Sequence, residues 1–145
     1  MPKRLTVTLK KKPAMQVTRV SVGKKKLVYV LVAQKPLKYR YGRSRVAYIG
    51  TTKRGMARIA QSVAARAEDV LNLYGVREFQ VRILTCAPRA GVDTWVKLER
   101  ALLLVFREKY GALPKCNMAG KNMREDRDFI YFKRDRLRGL LDALA

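Results

Sequence analysis

The sequence predicts an α+β fold in which a small, largely antiparallel sheet is flanked by helices. Segments typical of strands and helices occur in the order strand, strand, helix, strand, helix, helix, which is not the regular alternation of a parallel α/β sheet. The chain has 145 residues and shows no internal repeat or linker. It therefore has the length of one compact domain, residues 1–145.

Two strands and a charged connection begin the predicted core. The runs KLVYVLVA from Lys26 and RVAYIG from Arg45 are short, apolar and rich in β-branched residues, which is typical of buried strands. We expect Gly50 to end the second strand. Residues 34–44 contain Pro36 and several basic side chains, which predicts a long hairpin loop; loops of such length are often functional.

The next elements follow from changes in periodicity. Apolar residues recur at helical spacing until Gly75, and Arg77–Cys86 then alternates as a third strand. The apolar positions of this first helix are Met56, Ile59, Ala60, Val63, Ala67, Val70 and Leu71. Asp93 or Thr94 can cap a second helix that ends near Gly111.

Two basic segments flank this core of residues 27–117. Residues 1–26 form an extension with predicted strands around Leu5–Leu9 and Gln16–Val22. Residues 118–145 form a C-terminal segment with a helix from about Lys133 to Ala145, whose leucines we expect to dock while its arginines face outward.

The charge of the chain favours a polyanionic partner. The 33 Lys and Arg against 11 Asp and Glu leave a net charge of +22, and the first acidic residue is Glu68. Contacts with phosphates release condensed counterions, so such a chain binds nucleic acid without reading its sequence. We expect DNA or RNA to lie mainly against elements from the first half of the chain.

The absence of histidine excludes several classes of active site. Without it the chain has no zinc-finger pattern, no His-ligated metal site and no Ser-His or Cys-His catalytic pair. The two cysteines, Cys86 and Cys116, are in keeping with a reduced protein. Met1-Pro2-Lys3-Arg4 lacks the apolar core of a signal peptide, so we expect an intracellular, DNA-associated protein.

One carboxylate occupies an unusual position in the second helix. Glu99 falls in the middle of the apolar stripe around Trp95, Leu98 and Leu102. A buried carboxylate needs a compensating cation. Spacing alone leaves two alternatives: a salt bridge to an arginine, or ligation of a divalent metal shared with a substrate phosphate.

An ordered set of residues carries a resemblance to a known family. Tyr29 lies in the first strand, Tyr48-Ile49-Gly50 in the second, Arg58 in the first helix, Glu99 in the second helix and Asn117 in the loop after it. Because it contains these residues in this order, the region from Leu27 to about Asn117 resembles the GIY-YIG nucleases. The resemblance implies a small sheet flanked by helices and hydrolysis of phosphodiester bonds with one divalent metal ion, Mg²⁺ or Mn²⁺.

The resemblance also implies roles for these residues. Glu99 would hold the metal ion, Arg58 would bind the scissile phosphate, and Tyr29 would activate water. Tyr48 would orient that water or share the role, and Asn117 matches the late asparagine of the family. Taken singly, the tyrosines are also typical strand aromatics, Arg58 a solvated helix residue and Asn117 a turn residue.

The chain departs from the family pattern at three places. Leu27-Val28-Tyr29 lacks the leading glycine of the first motif, and the connection over residues 34–44 is longer than usual. Ser62, one turn after Arg58, stands where many members carry histidine or tyrosine. Ser62 cannot titrate near neutral pH, which leaves the identity of the base open between the tyrosines.

A basic surface is predicted beside these motifs. Aromatic and basic side chains are interleaved in the hairpin connection, which is typical of contact with nucleic acid, although a solvated hairpin is the alternative. The predicted contact residues are Lys38, Tyr39, Arg40, Tyr41, Arg43 and Arg45, with Lys53 and Arg54 after the second strand.

The sequence therefore predicts a metal-dependent DNA endonuclease. The long connection is reminiscent of restriction-type members, which commonly pair subunits, so a homodimer is one expectation. A homing, phage-borne, repair or junction nuclease on double-stranded or branched DNA is an alternative role. From a different class, a non-catalytic DNA- or RNA-binding protein of the same fold is the second alternative.

Overall fold

The computed structural model describes residues 4–14, 16, 26–117 and 129–145. In this part of the chain, three strands form one antiparallel sheet in the order β2-β1-β3. They are β1 (Leu27–Tyr39), β2 (Gly42–Thr52) and β3 (Phe79–Leu84). The first seven residues of β1 are all buried, because this central strand is covered on both faces. The predicted α+β class is confirmed.

The predicted long hairpin loop is wrong. Residues 34–39 continue β1 and Gly42 already begins β2, so the turn consists of Arg40 and Tyr41. Leu37 and Tyr39 point inward while Lys38 is exposed, which is the alternation of a half-buried strand. The sequence conceals this alternation because Pro36 lies where the pairing with β2 shifts register, and proline cannot donate to a ladder.

Three helices complete the described fold: α1 (Met56–Leu71), α2 (Thr94–Tyr110) and α3 (Arg134–Leu144). Helix α1 packs on β2 and β3, whereas α2 packs on β1 and β2 and is covered by α3. Gly111 ends α2 in the left-handed conformation at φ 78°, as its position predicts. No helix in the described ranges combines the length and the apolar character that crossing a membrane requires.

The C-terminal helix confirms its predicted orientation. Leu137, Leu141 and Leu144 are buried, and Arg136 and Arg138 are exposed. Ion pairs from α2 to this segment join Lys109 to Asp142 and Glu108 to Arg134. The hydrophobic core is one cluster that includes these leucines together with the sheet, α1 and α2.

The predicted strand around Leu5–Leu9 is wrong. Residues 4–14 contain no strand, and Leu5, Val7 and Leu9 are at least 90% exposed. Alternating residues form a stable strand only when a neighbouring strand pairs with them, and within the described ranges the sheet has only β1, β2 and β3. The strand predicted over Gln16–Val22 lies, apart from residue 16, outside the described residues.

Candidate active site: two tyrosines over Gly50

Strand register brings the two motif tyrosines together. Tyr29 on β1 lies directly opposite Gly50 on β2, and Tyr48 precedes Gly50 by two residues. Opposite residues, and residues two apart on one strand, share a face of the sheet. The two rings therefore meet above Gly50, with centroids 5.9 Å apart. Tyr29 is almost fully buried and Tyr48 half-buried.

Gly50 is needed because of this contact. A Cβ atom at Gly50 would lie 2.7 Å from Cζ of Tyr29, 2.7 Å from Cε1 of Tyr48 and 2.8 Å from the Tyr29 hydroxyl. Such distances are shorter than van der Waals contact, so a side chain here would displace both rings. The expectation that Gly50 ends the strand is wrong, since β2 continues to Thr52. Gly50 leaves space for the rings of Tyr29 and Tyr48 at a position where β2 is still paired with β1.

Helix α1 adds two polar side chains to the tyrosines. Tyr29 is hydrogen-bonded to both Ser62 and Tyr48. The Arg66 guanidinium carbon lies 5.0 Å from the centroid of the Tyr48 ring. Ser62 and Arg66 are four residues apart, so both project from one side of the helix, and both are half-buried. Tyr29, Tyr48, Ser62 and Arg66 are referred to below as the tyrosine cluster.

Burial dominates the acidity of Tyr29. Removal of the hydroxyl from water raises its pKa from 10.0 to about 12. The bond from Ser62 and the charge of Arg66 act in the opposite direction, whereas Tyr48 raises the pKa further. The hydroxyls of Ser62, Tyr29 and Tyr48 are thus linked in one hydrogen-bonded chain. At neutral pH Tyr29 is therefore a neutral phenol, and only additional positive charge close to its hydroxyl would favour the ionised form.

Asn117 lies against β2, where its side chain binds the strand backbone and not the tyrosine hydroxyls. Its Oδ1 accepts the Ile49 N–H at 3.0 Å, and its Nδ2 donates to the Ile49 carbonyl at 2.9 Å. The Cys116 N–H donates to the Ala47 carbonyl at 2.9 Å. Residues 116–117 are therefore held against the outer edge of β2 by one backbone bond and the two bonds of the Asn117 side chain. Asn117 is a neighbour of the site whose amide holds the strand that carries Tyr48.

Arg58 is on α1 one turn before Ser62. It is exposed, and its Nη1 donates to the Gln61 side chain at 3.1 Å. Arg58, Ser62 and Arg66 follow one another at intervals of four residues and so lie along one side of α1. A bond to an exposed glutamine is weak and easily exchanged. Arg58 is therefore positioned to meet an anion that approaches along this side of the helix.

Glu99 is fully buried in α2, as its helical position predicts. Trp95 lies one turn earlier, and Lys26 places its ammonium 4.6 Å from the Trp95 ring centroid. Since Lys26 immediately precedes β1, this part of α2 lies at the end of the sheet that carries Tyr29. Glu99 thus lies inside the core, one helical turn after Trp95, on the helix that packs on β1 and β2.

The donor chemistry of Glu99 fits Mg²⁺ or Mn²⁺. Within the described ranges, no three His, Cys, Asp or Glu residues gather as a metal-holding group. The Glu99 carboxylate could supply one oxygen ligand to such an ion, and the rest of the shell would need water or substrate phosphate. Mg²⁺ accepts this arrangement, because it retains several waters and is often held by one or two carboxylates.

The predicted nucleic-acid contacts divide into exposed and structural residues. The exposed ones are Lys38, Arg40, Tyr41, Arg43, Lys53 and Arg54. The expectation is wrong for Tyr39, which is buried; its hydroxyl donates to the Val46 carbonyl at 2.7 Å and accepts the Lys115 N–H at 3.0 Å. Arg45 is half-buried and donates from Nε to the Ala145 carbonyl at 3.1 Å.

The exposed residues lie in two places. Arg40 and Tyr41 form the hairpin turn, with the Arg40 guanidinium 5.4 Å from the Tyr41 ring centroid. Lys53 and Arg54 follow β2, close to Gly50. Tyr29 and the turn are ten residues apart along β1, so roughly 30 Å separates them. Basic groups thus occur both beside the tyrosine cluster and at the far end of the hairpin.

Arg66 belongs to the site although the sequence did not single it out. The available signal was its spacing, because it continues the four-residue interval from Arg58 through Ser62. That signal is weak in a helix with several basic residues. Only the packing of α1 on β2 brings Arg66 onto the Tyr48 ring.

Compared with protein-family models, curated proteins and solved structures, the chain matches none of them. Two phenols, a serine hydroxyl and a guanidinium converge on a glycine in a chain of net charge +22. Such an arrangement can bind a phosphate and orient a water molecule beside it.

Proposed function

We propose that this protein is a metal-dependent endonuclease that hydrolyses phosphodiester bonds in DNA. The observation that carries the proposal is the tyrosine cluster over Gly50, where four polar groups from β1, β2 and α1 converge. The basic first half of the chain supplies the attraction for DNA. The ordered motif residues from Tyr29 to Asn117 supply the resemblance to GIY-YIG nucleases.

The tyrosines would prepare the attacking water. One phenolate accepts a proton from water, whose oxygen forms the new bond to phosphorus as the bond to the leaving oxygen breaks and that oxygen takes a proton from solvent. Burial raises the pKa of Tyr29 to about 12, so its ionisation is the costly step. Ser62 and Arg66 reduce that cost, since both favour the ionised form of Tyr29.

Arg58 and Glu99 would complete the site. Arg58 is exposed, and its planar guanidinium suits two phosphoryl oxygens on which charge increases during the reaction. Mg²⁺ held by Glu99, when bound, would neutralise the phosphate and stabilise the leaving oxygen. Asn117 would act through the backbone, because it fixes Ile49 beside Tyr48.

The test of catalysis is nicking of supercoiled plasmid with and without Mg²⁺. We expect nicking by the wild-type protein and a loss of about 100-fold or more in Tyr29→Phe and Arg58→Ala. The matched controls are Tyr74→Phe, at an exposed tyrosine, and Arg136→Ala, at an exposed arginine of α3; both should nick normally. Absence of metal-dependent nicking, or equal nicking by all four variants, would contradict the proposal.

The role of Glu99 needs a readout besides cleavage. Glu99→Gln keeps the shape of the side chain but removes the charge, so we expect it to weaken Mn²⁺ binding to the DNA-bound protein, followed by electron paramagnetic resonance. It should also remove nicking. A Glu99→Gln protein that binds Mn²⁺ normally but melts at a lower temperature would instead assign Glu99 to a structural ion pair.

The second candidate is a nucleic-acid-binding protein without catalysis. The raised pKa of Tyr29 and the complete burial of Glu99 favour it, because both groups would then be structural. In that case DNA or RNA binds tightly, no product forms with any divalent metal ion, and Tyr29→Phe leaves the affinity unchanged. Linear, nicked and branched DNA of defined sequence, with a matched RNA, separate these outcomes and the alternative nuclease roles.

A further inference from the structure

Arg66 differs in its surroundings from Arg40, which also stacks on a tyrosine. Arg40 stacks on Tyr41, which is 63% exposed at the hairpin turn. Arg66 is half-buried, and its partner Tyr48 belongs to the tyrosine cluster. A cation that is partly removed from water interacts more strongly with a ring face than an exposed one does.

The positive charge of Arg66 affects the ionisation of two neighbouring groups, Tyr29 and Cys116. It stabilises the ionised form of Tyr29, and it also acts on the Cys116 thiol beside β2, where burial raises the pKa and the charge of Arg66 opposes that rise. The titratable and charged groups that act on Tyr29 are Tyr48 from β2 and Arg66 from α1. Asp69 and Lys115 act on Cys116 beside them. Among the groups that influence Tyr29, Arg66 supplies the positive charge.

We propose that Arg66 is the positioning residue of the tyrosine cluster, which holds the Tyr48 ring over Gly50 and supplies the positive charge beside the two hydroxyls. This inference rests on the proposed function, since it assigns to Arg66 the activation of the tyrosine that prepares water. Ser62 contributes a hydrogen bond to Tyr29 but no charge near neutral pH. Arg66 acts through the tyrosines and does not itself touch the reacting atoms.

Kinetics distinguish this role from a phosphate contact. We expect Arg66→Gln to lower kcat about 10- to 100-fold, to leave KM within about twofold, and to move the rise of the rate with pH to higher pH by about half a unit or more. Arg66→Lys should restore the position of the pH profile, because it keeps the charge. A change confined to KM, or a pH profile that stays in place, would overturn the proposal.

A measurement without DNA separates this inference from the nuclease proposal. With ¹³Cζ-labelled tyrosine, NMR follows the Tyr29 and Tyr48 signals from neutral pH to about pH 11. Arg66→Gln should change the Tyr48 signal at neutral pH and delay the onset of Tyr29 ionisation. The control Arg40→Gln should move neither signal, although it removes the cation from Tyr41. Unchanged Tyr29 and Tyr48 signals in a folded Arg66→Gln protein would refute the positioning role, whether or not the protein cleaves DNA.

Discussion

At the scale of one residue, the candidate site depends on the lack of a side chain at Gly50. Its missing side chain leaves the space in which the rings of Tyr29 and Tyr48 meet. Its neighbour Ile49 carries no polar side chain, yet the Ile49 N–H donates to the Asn117 side chain and the Ile49 carbonyl accepts from it. The three consecutive residues therefore have different roles. Tyr48 supplies a ring of the cluster, Ile49 bonds to Asn117 through its backbone, and Gly50 leaves space for the two rings.

Gly50→Ala should destabilise the protein by about 1–3 kcal/mol, because the added methyl group would overlap two rings in a packed region. It should also remove nicking. The control is Gly139→Ala in α3, where an added Cβ meets nothing within 4 Å. That change should stabilise the protein by about 0.5–1 kcal/mol, since alanine favours helix. Urea unfolding measures both, and a neutral Gly50→Ala would contradict the crowding that the geometry predicts.

Tyr29 should also make the stability of the fold depend on alkaline pH. Its pKa is about 12 in the folded protein and 10.0 when unperturbed, so the folded state favours the neutral phenol. The resulting stability is fully present below pH 10.0 and is lost as pH rises through about 12. Tyr29→Phe should reduce this alkaline loss.

Denaturant unfolding across that pH range checks this expectation, with exposed Tyr74→Phe as the control. Lysines titrate in the same range, but they do so equally in all three proteins, so the comparison isolates Tyr29. If Tyr29→Phe loses stability as steeply as the wild-type protein, the buried hydroxyl is not ionising with unfolding.

At the scale of elements, the site is an assembly of pieces that are far apart in the sequence. β1 and β2 supply the tyrosines, α1 supplies Ser62 and Arg66, and residues 116–117 close the outer edge of β2. The periodicity of each helix or strand determines which of its faces carries these side chains. Their meeting depends on strand register and on the rotation of α1 over the sheet.

Asn117→Ala should loosen β2 locally. It leaves the Ile49 N–H and carbonyl without their partner, and an unsatisfied buried polar group costs about 1–3 kcal/mol. We expect a stability loss in this range and faster hydrogen exchange at the Ile49 amide, both measurable by NMR. Asn72→Ala, at an exposed asparagine that ends α1, should change neither. Unchanged exchange at Ile49 would mean that Asn117 does not hold the strand.

At the scale of the whole molecule, charge is distributed unequally along the chain. The acid-free stretch before Glu68 contains both strands of the hairpin and most of α1. Basic groups lie beside the tyrosine cluster and again at the hairpin turn, roughly 30 Å away along β1. That separation is about one turn of a DNA duplex. A duplex bound along the hairpin could therefore meet both places.

Reversing the charge of the turn should weaken DNA binding without changing the chemistry. The double substitution of Arg40→Glu and Arg43→Glu should lower affinity at least tenfold and reduce the dependence of affinity on salt, because fewer counterions are released. Nicking at saturating DNA should stay within about threefold, since the turn is distant from Tyr29.

The matched control is Arg136→Glu with Arg138→Glu on α3, which makes the same change of charge in the part of the chain that contains the acidic residues. Fluorescence anisotropy at several salt concentrations measures binding. Equal loss from both double variants would show that total charge, and not the hairpin turn, determines binding.

Much of the fold follows from local patterns in the sequence. Apolar runs predict parts of β1 and β2, alternation predicts β3, helical spacing predicts α1, α2 and α3, and Gly111 predicts the end of α2. The burial of Glu99 follows from its place in the apolar stripe. Gly50 lies within β2 and does not end it. The failures at residues 34–44 and around Leu5–Leu9 concern strand pairing. Whether an alternating segment pairs depends on a distant partner strand, which local patterns do not contain.

The sequence by itself determines the strong positive charge, the absence of histidine chemistry, the helical periodicities and the motif tyrosines of this protein. Only the tertiary structure decides that Ser62 and Arg66 meet those tyrosines, that Asn117 holds Ile49, and that Tyr39 belongs to the core. The physical reason is that periodicity fixes the face of an element on which a residue lies. Register and packing between distant segments fix what that face touches.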